Sequence, residues 1–152
     1  MENSKLAVPN MDTLIVELVK QCDHKRLALW AADCAERVLP YFEENYPADN
    51  RPRNAIEAGR AWVRGEFKMT EARKAAFAAH AAARDAHQAA EACSAARAAG
   101  HAAATAHVAS HAVYAASYAA AAVRDASDDA ATTKERDWQY QHLSDFISQE
   151  DR

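Results

Sequence analysis

The amino-acid sequence predicts an all-α fold, a compact alanine-rich bundle of about six helices. Three observations lead there. Hydrophobic types make up 50 % of the 152 residues, enough to build a core. Only 3 Gly and 4 Pro are present, too few for the turns of a β-sandwich or barrel. Where larger side chains interrupt the alanines, they recur at helical spacing. Alanine has the best helix propensity but buries little area per residue, so such a bundle must gain stability from close approach of its backbones.

Residues 1 to 10 read as a short arm ending at Pro9-Asn10. The first helix follows from Asp12, with Leu14, Ile15, Leu18 and Val19 on one side and Asn10 or Asp12 as its cap. Asp23 caps a second helix, whose Leu27, Trp30, Ala31, Cys34, Val38 and Phe42 share a face. Pro40 is expected to kink or end it near Val38, because proline lacks the helical donor. The segment YPADNRPR is the clearest loop, and Pro52 opens a third helix that Gly65 helps to end. Thr70 is expected to cap a fourth.

From Glu71 to Ala126 more than half the residues are alanine. One helix of that length would run to about 80 Å, so it must divide. The break is expected between Asp85 and Ala89, with Gly100 as the alternative. Kept inside its helix, Gly100 would join Ala96 and Ala103 or Ala104 in a small-residue ridge that admits another backbone. Ser127 is expected to start the last helix, with Asp128 and Asp129 at the positive end of its dipole and Trp138, His142, Leu143, Phe146 and Ile147 as its apolar face. Trp30 and Trp62 are expected to anchor the core. The whole is read as a single helical domain over 1–152.

The formal charge of −4 removes the basic footprint of a duplex nucleic-acid binder. Cys22, Cys34 and Cys93 are odd in number and widely spaced, which predicts buried thiols in a reducing compartment rather than a disulfide framework or zinc site. No stretch is long and apolar enough to span a membrane, and the N-terminus lacks the apolar core of a signal peptide, so a soluble cytoplasmic protein is expected.

Three segments carry a resemblance: LWAADCAERVLPYFEENYPADNRPRNAIEAGRAW, EARKAAFAAHAAARDA and ARAAGHAAATAHVASHAVYAASYAAAAV. Their order and composition resemble the Imm-5-like group of bacterial immunity proteins over roughly residues 26 to 126. The resemblance implies neutralisation of a toxin and brings no catalytic residues. The first helix and the C-terminal helix over 127–152 lie outside it.

Two polar stripes are the candidate ligand-binding residues. His107, His111, Tyr114 and Tyr118 follow at spacings of four, three and four and share one face of a helix. Arg73, His80, Arg84 and His87 share a face of the fourth helix. Met together, the two faces would form an aromatic and basic pocket for an anion such as a nucleotide. Left apart, the first is buried packing and the second a solvated charged face. His107 and His111 could each ligate a metal, but Val108, Ala109 and Ser110 stand between them where a zinc protease helix carries glutamate, so no metal and no cofactor is expected. Arg51, Arg53 and Arg60, with Arg64, form a third basic set that either docks an acidic partner or pairs with Glu43, Glu44 and Asp49.

With no nucleophile–base pair or phosphate loop in the sequence, a non-enzymatic neutralising binding protein is expected. The alternative is a protein that sequesters a small anionic ligand between the alanine helices or at a dimer interface. A homodimer fits either, because ridges of small residues pack helices between chains as well as within one.

Overall fold

A computed structural model describes residues 10–150 of the chain, the side chain of residue 150 excepted. The expected arm over 1–10 lies outside the described residues except for Asn10. The described part holds seven helices and no strand: α1 (Met11–Val19), α2 (His24–Glu43), α3 (Arg51–Val63), α4 (Met69–Asp85), α5 (Ala90–Ala104), α6 (His111–Ala126) and α7 (Asp129–Glu150). The seventh arises because the alanine-rich stretch breaks twice. The expected break after Asp85 is there, and Gly100 stays within α5, but a further turn over 105–110 separates α5 from α6. Thr105 marks it, its hydroxyl donating to the His101 carbonyl (2.9 Å) as the helix ends.

The caps follow local chemistry. Asn10 accepts the Thr13 N–H (2.9 Å) and Asp23 that of Arg26 (2.8 Å), as a short side-chain oxygen at a first turn should. Thr70 does not cap α4. The helix already begins at Met69, and Glu71 reaches back to accept the Lys68 N–H (2.8 Å). Nor does Ser127 start α7; it ends α6, and Asp128 accepts the Ala131 N–H (2.8 Å). A carboxylate meets the positive helix end better than a hydroxyl does. Gly65 follows α3 with φ of 78°, a left-handed conformation that glycine adopts without steric cost.

Pro40 does not end α2 near Val38; the helix runs on to Glu43. The proline forfeits only the one bond that an N–H at position 40 would give the Glu36 carbonyl, and the turn beyond it still forms. Phe42 is fully buried beyond it, and the Glu44 and Tyr46 N–H groups close on the Pro40 and Phe42 carbonyls (both 2.9 Å).

Helix α5 is the centre of the bundle and packs against α2, α3, α4 and α6. Ala92, Ala95, Ala96, Ala98, Ala99, Ala102 and Ala103 are buried along one broad face of it. Only small side chains let four neighbours come this near at once. A β-carbon on Gly59 of α3 would stand 3.4 Å from the Ala102 carbonyl oxygen, so this is where another backbone comes close to α5. Gly100 has a different neighbour, described below.

The larger core residues are Trp30, Phe42, Ile15, Ile56 and Leu143. Trp62 is not among them. It lies at the margin, its ring 4.8 Å from that of His24, whose Nε2 donates to the Thr105 carbonyl. Helix α7 is held by polar contacts. Trp30 Nε1 donates to the Gln139 carbonyl (2.9 Å), and the Gln139 amide donates to the Ala116 carbonyl (2.9 Å). Arg136 donates to Gln139 Oε1 (2.7 Å) and pairs with Asp12 of α1. Arg37 forks onto Glu135 (2.8 and 3.0 Å) with its guanidinium 3.9 Å above the Trp138 ring. Among the cysteines only Cys34 is buried, and burial pushes its thiol well up; Cys22 and Cys93 are half-buried, which corrects their expected burial. No helix among the described residues is long and apolar enough to cross a membrane.

Candidate functional site

The turn over 105–110 folds α6 back against α5, and α4 packs on the same side of α5. Histidines from three helices and the turn gather there: His80 on α4, His101 on α5, His107 in the turn and His111 at the start of α6.

His101 is the hub. Its ring centroid lies 4.8 Å from His80, 5.1 Å from His111 and 5.4 Å from Tyr114, and it stacks on Tyr118 at 5.3 Å with the planes 5° apart. His101 Nδ1 and His111 Nδ1 are 2.9 Å apart. One of the two must donate and the other accept, so the accepting ring is neutral with its proton on Nε2. Burial pushes His101 down to about 4, helped by the charges of His80, His111 and Arg97. Burial also lowers His80, followed by Arg97, His111 and Arg84, and it lowers His111, followed by His107. Burial and the surrounding cations thus disfavour the charged form of His80, His101 and His111.

Beside the hub opens a cleft of about 320 Å³, lined by Arg73, Ala76, Phe77, His80, Ala104, His107 and His111. The lining offers donors and apolar surface and contains no carboxylate. The Arg73 guanidinium lies 5.4 Å from the centre of the Phe77 ring. Phe77 is 60 % exposed and Tyr114, at the neighbouring edge, 52 %. Among the described residues no carboxylate pairs with Arg73, Arg84 or Arg97.

The two expected stripes therefore do meet, although not as drawn from one continuous helix. Arg73, His80, His107 and His111 line the cleft, while Tyr114 and Tyr118 pack on His101. His107 stands in the turn instead of on a shared helical face. Arg84 is exposed outside the lining and acts on His80 only through its charge. His87 lies past the end of α4, with Nδ1 donating to the Arg84 carbonyl (3.2 Å), and takes no part. His101 is not apparent from the sequence. Counted along one continuous helix it falls off the His107–His111 face, and only the turn brings it opposite His111. Among the described residues no group of three or more His, Cys, Asp and Glu side chains is arranged to hold a metal ion.

The third basic set is paired throughout. Arg51 meets Asp49 (2.7 Å) and Asp85 (2.9 Å), and Arg53 meets Glu43 (2.6 Å). Arg60 meets Asp33 (2.8 Å) and Glu36 (2.6 Å), and Arg64 meets Glu66 (2.9 Å). The Arg51 guanidinium holds the Asp49 carboxyl below its usual range. These arginines bind α3 to its surroundings, whereas Arg73, Arg84 and Arg97 meet no carboxylate among the described residues.

Residues 17–146 match the model of a family described as Imm-5 like putative immunity protein. The chain belongs to this family. No curated protein and no solved structure matches it. The Imm-5-like match begins within α1 and ends at Phe146 in α7, so it reaches well beyond residues 26 to 126 on both sides. Helix α7 belongs largely to what the family shares, whereas of α1, which packs on it, only the last turn does.

Proposed function

We propose that this Imm-5-like protein neutralises a partner toxin by binding it, without catalysing a reaction, and that the binding face is the one bearing Arg73, Phe77, His107 and Tyr114. The observation that carries the reading is that Arg73, which meets no carboxylate among the described residues, lies over the solvent-facing Phe77 ring, with Tyr114 exposed nearby. Arginine, tyrosine and other aromatics dominate the energetics of protein interfaces, where a large ring can be desolvated beside a charge the partner satisfies. Family membership supports immunity as the role. The unpaired cations select a partner surface rich in carboxylates, since opposite potentials steer encounter and fix register. Arg51, Arg53 and Arg60 fit the role less well, because their charge is already spent on Asp49, Glu43 and Asp33.

The test is a titration of the activity of a candidate toxin, one encoded beside this chain, with purified protein. Neutralisation by binding predicts a linear fall in activity to an equimolar endpoint. Complete inactivation by a small fraction of an equivalent would mean turnover, and no inhibition at excess would mean that the toxin is not its partner.

A further inference from the structure

The cleft beside His101 has a composition that docking of a protein does not require. Its donors come from three directions: the Arg73 guanidinium and His80 from α4, His107 from the turn and His111 from α6. No carboxylate answers them within the lining. A carboxylate offers two oxygens in one plane, whereas a phosphate monoester offers three spread over a tetrahedron, and donors arriving from separate elements match the latter. Phe77 adds a ring at the mouth, with one face toward the Arg73 guanidinium and more than half its surface in solvent. Rings of this kind stack on planar groups irrespective of substituents. The volume of about 320 Å³ lies at the lower end of small-molecule sites, which suits a mononucleotide and excludes most larger cofactors.

We propose that this cleft binds a phosphate monoester carrying a planar ring, of the nucleoside monophosphate class, with the phosphate among Arg73, His80, His107 and His111 and the ring against Phe77. The inference goes beyond toxin neutralisation and does not rest on it. The hydrogen bond between His101 and His111 fixes which nitrogen of His111 can donate to the phosphate. When His101 donates from Nδ1, the His111 proton resides on Nε2.

Calorimetric titration of the full chain with AMP, GMP, CMP, UMP, the corresponding nucleosides and inorganic phosphate tests it. At least one monophosphate is expected to bind about tenfold or more tightly than both its nucleoside and inorganic phosphate. Arg73→Gln is expected to weaken that monophosphate at least about tenfold, and Phe77→Ala to weaken it while leaving inorganic phosphate unchanged. Arg53→Gln, at an arginine already paired with Glu43, should change nothing. Both variants near the cleft alter exposed side chains, so their folding is checked by circular dichroism and is expected to match the parent. The proposal is overturned if no monophosphate binds by about 1 mM, if nucleoside or phosphate alone binds as tightly, or if Arg73→Gln has no effect.

Discussion

The His80 imidazole rests on Gly100. A β-carbon there would lie 2.7 Å from its Cε1 and 2.8 Å from its Nε2, closer than such atoms ever stand. Glycine in the most buried helix of the bundle therefore serves the histidine cluster, not the approach of another backbone as the small-residue ridge suggested.

Gly100→Ala should keep the fold and expel the ring. Alanine gains about 1 kcal/mol of helix propensity, and the atom that must move belongs to a short side chain able to rotate outward. Stability in urea is expected to stay within about 1 kcal/mol of the parent. The His80 titration, followed by NMR, should move up toward the ordinary 6.5 as the ring leaves its buried site. An unchanged His80 titration would mean that the glycine does not position the ring.

Acid should weaken the protein before its carboxylates titrate. His101 is held at about 4 in the folded state against an ordinary 6.5, by burial and then by His80 on α4, His111 on α6 and Arg97 on α5. The unfolded chain takes up a proton below about pH 6.5 that the folded chain refuses. Stability is thus fully present above that value, falls on acidification toward pH 4 and levels off below it for this group. His80 and His111 act in the same direction. The loss attributable to His101 is on the order of 2 kcal/mol, allowing for its partial exposure. Urea midpoints measured between pH 7 and 4 check it, and His101→Gln should flatten the curve. A midpoint that rises on acidification in that range would contradict the assignment.

The polar junction under α7 should be the most sensitive point outside the apolar core. Gln139 is fully buried, and its amide serves both the Ala116 carbonyl and the Arg136 guanidinium. Gln139→Ala leaves a cavity and removes a partner from a buried cation, a combination that costs about 3 kcal/mol. Chemical denaturation measures it, and a loss below about 1 kcal/mol would show that the junction readily rearranges.

The paired arginines should divide by burial. Arg60 is 18 % exposed and bridges Asp33 and Glu36 from α3 to α2, so Arg60→Ala is expected to cost about 1–2 kcal/mol. Arg53, half in solvent against Glu43, should cost no more than about 0.5 kcal/mol. Equal losses in thermal unfolding would overturn the distinction.

Helices are legible in the sequence because alanine propensity and the spacing of larger residues agree. Leu27, Trp30, Cys34, Val38 and Phe42 point to a buried face of α2 and are buried. The turn over 105–110 is not legible. It contains neither glycine nor proline, and its only local signs are Thr105, which bonds back to His101, and Ser110 before α6. That turn hides His101, although Arg73, His80, His107 and His111 can still be picked out as polar interruptions of alanine. Pro40 misleads for the opposite reason, since local chemistry argues for a break that burial of Phe42 overrides. The pairing state of the arginines is a tertiary property, which is why the two basic sets look equivalent until their partners are placed.

The most direct measurement is the affinity of a candidate toxin for the parent protein, for a double variant Arg73→Ala/Phe77→Ala and for a double variant Arg51→Ala/Arg53→Ala. The binding-face assignment predicts a loss of about a hundredfold or more for the first pair, with folding intact, and little change for the second. Full affinity in the first pair, or the loss appearing in the second, would contradict it.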